Sequence, residues 1–267
     1  MGRVWQRWLP VQIFPFEVAM NQADFRAATP YAELGNVVAA APEDVRRTFI
    51  RKTYTHLAAA IYAFVMLTWL FVQLGWDDVA LRIIGNNQLL WLAVLAGFMF
   101  VGWIANAWAL SATSIGKQYA GLFLYVLAEA VIFMPLIAIA KFKTTSIVGH
   151  EVPVIGAAGL TTVIMVAGLT AYVFLSKRDF SFLGGILSVA GFGAMALIAV
   201  SAFFPVSLGV WFSVAMVIFA SAYILYYTSN ILREYNTNQY VAAALALFAS
   251  VALLFWYVLQ IFMSSRD

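Results

Sequence analysis

The chain has 267 residues, 64% of them hydrophobic and 10% charged, with a net charge of +3 and no cysteine. Soluble globular domains are roughly half apolar and about a quarter charged, so water is not the main solvent of this protein. Disulfides, thiolate nucleophiles and thiolate metal sites are excluded, His56 and His150 are too far apart in sequence to suggest a shared metal site, and no phosphate-loop, zinc-protease or nucleophile-elbow motif occurs.

Taken in chain order, residues 1–50 form the one sizeable part outside the membrane and 51–267 the transmembrane domain. The opening VWQRWLPVQIFPFEV interleaves Trp5, Trp8, Phe14 and Phe16 with Arg3 and Arg7, the chemistry of an interfacial segment, although Pro10 and Pro15 oppose a long regular helix. Met1 and Met20 are both candidate starts, and neither precedes a secretory signal. PEDVRRTFIRKTYTHL reads as a helix entry, with Pro42 at a first helical position, Glu43 and Asp44 in the first turn and four cations following. It is expected to run into the first span as one helix.

Apolar runs without charge cover 57–75, 89–109, 154–175, 182–204, 206–226 and 240–263, and the run 119–140 is interrupted by Glu129 alone. Each approaches the roughly 20 residues needed to cross the hydrocarbon core, so the fold class is all-α integral membrane with seven transmembrane helices. A barrel would show segments of about ten residues with alternating polarity, and none occurs. With the N-terminus inside, Arg46, Arg47, Arg51, Lys52, Lys117, Lys177, Arg178 and Arg233 fall on the inner side, and Arg82, Lys141, Lys143 and Arg266 on the outer side. This bias predicts a cytoplasmic N-terminus and an extracytoplasmic C-terminus. The basic residues flank spans, so the positive charge reads as topology, and no nucleic-acid partner is expected.

Within the spans, small-xxx-small spacing at Ala167 and Ala171, Gly184 and Ser188, and Gly209 and Ser213 predicts close helix contacts. Asn106 in span two is expected to bond another helix or to line a pathway. Glu129, ten residues from Tyr119 and eleven from Ala140, is the one ionisable residue deep inside a span. Carboxylates there are costly, and desolvation favours the neutral acid, so Glu129 is either a functional site or a hydrogen-bonded packing group. Pro135 is expected to bend span three nearby. After span six, the polar knot Thr228, Ser229 and Asn230 with Arg233 and Glu234 reads as a surface turn.

RTFIRKTYTHL before span one, GLTAYVFLSKRDFSFLGG between spans four and five, ILYYTSNI ending span six, YVAAALALFASVALLFWYVLQIF as span seven and the terminal SSRD fall in an order that resembles the Bax inhibitor-1 (transmembrane BAX inhibitor motif) family, in its bacterial YccA-like branch. The resemblance covers about residues 40–267. It implies a multi-pass protein of the bacterial inner membrane with the seventh helix central among the other six. It also implies either restraint of a membrane complex such as a membrane-anchored ATP-dependent protease, or a pH-sensitive cation leak.

Leak-type members carry an aspartate near the end of span six, in a pattern like Y-D-T-Q, and another in span seven, in a pattern like L-Y-L-D. The matching positions here are Tyr227 and Ser250. A phenol and a hydroxyl cannot share a proton near neutral pH as paired carboxylates do. Tyr227 is expected in the interfacial aromatic belt, or hydrogen-bonded to Ser250; Ser250 and Glu129 should share a depth and frame a small polar pocket. The expectation is a non-enzymatic regulator or partner protein in the lipid bilayer, without metal or cofactor, with a calcium or proton leak as the alternative.

Overall fold

The computed structural model describes residues 37–84, 88–111, 114–147, 150–204 and 208–264. The aromatic segment at Trp5–Phe16 and both candidate starts lie outside the described residues.

Helix α1, Glu43–Gln73, carries the chain from the surface through span one without interruption, as PEDVRR predicts. Pro42 stands just before its first turn, and Glu43 and Asp44 place negative charge at the positive end of the helix dipole. Gly75, at φ +74, turns the chain into α2, Trp76–Ile84. This short helix was not anticipated, although Asp77 and Asp78 in its first turn and Arg82 in its last complement its dipole.

Helix α3, Gln88–Ala109, is span two. Span three is divided into α4, Ile115–Ile132, and α5, Met134–Ala140, with the break at Phe133. Pro135 in the first turn of α5 has no N–H to donate back across that break, which is the expected bend. A hairpin of β1, Thr144–Ile147, and β2, His150–Pro153, pairs antiparallel and was also not anticipated. Then follow α6, Val154–Ser176, α7, Leu183–Phe203, α8, Gly209–Arg233, and α9, Tyr240–Ser264. Among the described residues α1, α3, α4, α6, α7, α8 and α9 are long and apolar enough to cross a membrane, in agreement with the seven expected spans. The protein is an all-α integral membrane fold.

Span seven is the centre. The most apolar window of α9 is 83% buried, whereas no other span exceeds 44%. A helix apolar on every side needs neighbours on every side, and α9 packs against α1, α4, α6 and α8. Its small residues Ala242, Ala243, Ala244 and Ala249 are buried and let those helices approach.

Two of the three small-residue pairs do not behave as expected. Ala167 and Ala171 are exposed on the outside of the bundle. Gly209 has no neighbour within 4 Å of where a Cβ would stand; its φ of +61 at the start of α8 is what requires glycine. Gly184 does mark a contact, because an added Cβ would lie 3.0 Å from the Tyr226 ring. The tightest approach was missed: a Cβ on Gly121 would stand 2.3 Å from the Ala105 carbonyl oxygen and 2.7 Å from the Ala109 nitrogen, fixing α4 on α3.

The end of the bundle where α1 begins, the near end, is knitted by polar contacts. Here the surface-turn reading of Thr228, Ser229 and Asn230 is wrong: all three are helical and fully buried. The Phe180 amide donates to Ser229 Oγ at 3.0 Å, and Arg233 donates to the Lys177 carbonyl at 2.7 Å, so the loop after α6 covers them. The turn begins only at Glu234, and even there Tyr235 and Asn236 are buried, paired with Val38 and Val37. A loop-type residue such as Ser229 extends a membrane helix when another loop supplies its partner. At the opposite, far end, Lys141 binds Asp77 at 2.6 Å and Asp78 at 2.8 Å, tying α2 to the end of α5.

Candidate functional site

Between α3, α4, α7, α8 and α9 lies a cavity of about 470 Å³. It extends from the far end, where Leu208, Gly209 and Gln260 line it, to Tyr125, Glu129, Tyr223 and Ser250 near the middle of their spans. Three features of the chain create it. Span five, α7, packs only lightly on its neighbours and leaves room beside Ala194 and Met195. The break at Phe133 turns an aromatic ring inward, edge-on to Trp256 at 4.9 Å between ring centres. Trp256 is in turn stacked on Trp91 at 6.1 Å, and Phe98 meets Tyr125 at 5.7 Å, so rings from α3, α4 and α9 form one wall.

Glu129 is 6% exposed and lines this cavity. The hydroxyl of Tyr125, one helical turn earlier, hydrogen-bonds its carboxyl. Glu129 and Ser250 border the same space. The Ser250 hydroxyl donates to the Ala246 carbonyl at 2.9 Å within its own helix. Deeper toward the far end, Ser213 donates to Gln260 Oε1 at 2.9 Å, and Ser201 donates to the Ile198 carbonyl. Among the described residues that line the cavity there is no Asp, Lys, Arg or His, and Glu129 is the one carboxyl.

Tyr227 does not sit in an interfacial belt. It is 3% exposed, stacked on Tyr223 at 5.7 Å and edge-on to Tyr226 at 5.1 Å. The span-six tyrosine that borders the cavity with Ser250 is Tyr223, one turn before it. Asn106 is half-buried on α3 and is not among the lining residues. Tyr125 and the Ser213–Gln260 pair were missed by sequence reasoning. Tyr125 stands four residues before Glu129, the spacing that stacks side chains on one helix face, and Gln260 is a polar residue late in an otherwise apolar span. Among the described residues no group of three His, Cys, Asp or Glu is arranged to hold a metal.

A model of the family described as inhibitor of apoptosis-promoting Bax1 matches residues 46–267. The chain belongs to this family, Bax inhibitor-1. Relatives in the family come from distant organisms. The chain is 39% identical over 110 residues to an uncharacterised protein of Pseudomonas aeruginosa, covering 41% of this chain and 49% of that one. It is 33% identical over 141 residues to Protein LIFEGUARD 4 of Arabidopsis thaliana, covering 51% and 56%. The similarity to Bax inhibitor 1 of Schizosaccharomyces pombe is lower but longer, 26% over 243 residues, covering 89% and 81%. The chain spans about half the length of the first two relatives. The Pseudomonas relative supports placement in the bacterial branch, and the central seventh helix is the arrangement expected of this family.

Proposed function

We propose that this Bax inhibitor-1 protein acts in the bacterial inner membrane as a non-enzymatic regulator of another membrane protein complex, with a membrane-anchored ATP-dependent protease as the class of partner. The observation that carries the reading is at Ser250. Where leak-type relatives are expected to hold the second aspartate of a pH latch, this chain has a hydroxyl already bonded to Ala246, and Tyr227 replaces the first. A regulator needs no titrating pair. It does need a helix face for its partner, and α6 and α7 offer Leu160, Ile164, Leu175 and Val189 on their outer surfaces, with Ala167 and Ala171 among them. Small residues on such a face let a partner helix come close.

One observation favours the alternative of a proton or cation leak: Glu129 lies inside a cavity that runs to the far end. Reconstitution in liposomes decides between the two. The expected result is no calcium or proton flux that changes between about pH 6 and 8, the range where a raised carboxylate or a histidine would titrate. Co-purification from native membranes in mild detergent is expected to recover a membrane complex, and Ala171→Trp is expected to release it while the melting temperature stays unchanged. Robust flux that is abolished by Glu129→Gln in a folded variant would replace the regulator with the leak.

A further inference from the structure

The cavity is large, and few of the groups that line it are polar. Its 470 Å³ falls in the ~300–1,000 Å³ range of small-molecule sites, which are mainly apolar with a few convergent polar groups. The chemistry of the lining selects among ligands. An anion finds no cation there, since Lys, Arg and His are absent from the lining. A neutral hydrogen-bonding ligand finds the hydroxyls of Ser201, Ser213 and Ser250 already donating to Ile198, Gln260 and Ala246, and it offers no counter-charge to the one carboxyl among the described lining residues. A bare divalent cation needs six to eight oxygen ligands for calcium or octahedral oxygens for magnesium, and one carboxyl in an aromatic box falls short of either.

The remaining class fits. A carboxylate accepts at about four lone-pair positions, so Glu129 keeps acceptor capacity beyond its bond to Tyr125. Aromatic faces attract ammonium groups, most strongly where water is excluded, and Trp91, Phe98, Phe133 and Trp256 line the same space as Glu129. We propose that the cavity is a binding site for a lipophilic organic amine, its ammonium group at Glu129 and its hydrocarbon body against the Trp91–Trp256–Phe133 wall. Toward the far end the cavity continues to Leu208, Gly209 and Gln260. The site stands whether the protein regulates a partner or conducts ions, because it requires only the cavity and its one carboxyl.

Tritiated 1-adamantylamine is a suitable probe, being compact, rigid and protonated at neutral pH. Its binding is measured on the full chain in lipid nanodiscs, with empty nanodiscs of the same lipid subtracted. Competition by 1-adamantanol and 1-adamantanecarboxylate separates charge from shape. The expected result is one saturable site per chain, with both competitors at least tenfold weaker than the amine. Glu129→Gln is expected to weaken amine binding at least tenfold, and Glu129→Asp less than that. Absence of a saturable site overturns the proposal, and so does equal competition by the alcohol. A Glu129→Gln protein that elutes and melts like the unaltered chain yet keeps its affinity also overturns it. Should Glu129→Gln fail to fold, the amine and alcohol comparison on the unaltered protein still decides.

Discussion

The near and far halves of the bundle are crossed by the same apolar helices, but they are built differently. At the near end α8 buries Thr228, Ser229 and Asn230 completely beneath the loop 177–182, while toward the far end the same helix borders an open space of about 470 Å³. The near half is held by backbone contact and hydrogen bonds: Gly121 against α3, Gly184 against Tyr226, Ser229 with the Phe180 amide and Arg233 with the Lys177 carbonyl. The far half has its ion pairs at the rim, between Lys141 and Asp77 and Asp78, and the cavity lies among α3, α4, α7, α8 and α9. In a membrane, lipid tails are as apolar as leucine, so helices gain from touching mainly through close packing and polar contacts. Where those are absent, a void can persist. The lesson is that function is to be sought where the packing stops.

The largest effect that tests this contrast is expected at Gly121. A leucine there would drive its Cβ into the Ala105 carbonyl and the Ala109 amide, which are main-chain atoms and cannot rotate away. Overpacking typically costs about 1–3 kcal/mol when side chains can give, so Gly121→Leu is expected to cost about 3 kcal/mol or more, or to prevent folding. Thermal melting in detergent, followed by helical circular dichroism, checks it. A variant that melts within a degree of the unaltered protein would remove the tight half of the comparison.

A smaller, pH-dependent effect is expected at the loop that covers Ser229. The Ser181 amide donates to Asp179 at 2.9 Å, and Ser229 and Arg233 lie beside the same carboxyl at 3.4 and 3.9 Å. The bonds from Ser181, chiefly, hold Asp179 below its ordinary value, with Arg233 and Ser229 adding to the effect. Glu234 moves the other way, raised first by burial and then by the charge of Asp179, against a lowering by Arg233. A carboxyl with a lowered folded value contributes stability that is complete above the unfolded value, near 4, and is lost as pH falls through the lowered one. Protection of the Ser181 amide against hydrogen exchange, corrected for intrinsic rate, is therefore expected to fall below about pH 4. Asp179→Asn is expected to flatten that dependence. Because the side chain is half exposed, solvent screens it, and the global melting temperature should barely move.

The seven spans, the unbroken entry helix from Glu43 and the bend near Pro135 were legible because each rests on local physics: length in apolar residues, dipole complementation and a missing N–H. Glu129 was legible because a lone carboxyl deep in a span stands out against any apolar background. The burial of Thr228–Asn230 was not, since the loop that covers this helix end and bonds Ser229 lies about 50 residues away, at Asp179 and Phe180. The same holds for Gly121: its spacing in α4 is unremarkable until α3 is laid across it. Small residues at Ala167 and Ala171 read the same in sequence as those at a contact, yet they point away from the bundle. The cavity wall needed three separate helices to converge, and no single segment carries that information.

The smallest effect is expected from filling the far half. Ala194 lines the cavity from α7, one of the two spans least covered by their neighbours. A phenylalanine there would place a ring in space that holds no protein atom, gaining dispersion contacts with Met216 or Phe219 across the gap without displacing main chain. The gain is offset by lost rotamer freedom and by whatever lipid or water leaves, so Ala194→Phe is expected to shift stability by less than about 1 kcal/mol, in either direction. The same variant is expected to weaken adamantylamine binding, because the ring occupies volume the ligand needs. The pairing of outcomes is what matters: one added side chain in the near half should unfold the protein, and a larger one in the far half should leave it standing while removing its ligand. If Ala194→Phe instead melts as early as Gly121→Leu, the far half is packed after all, and the distinction between the two halves falls with it.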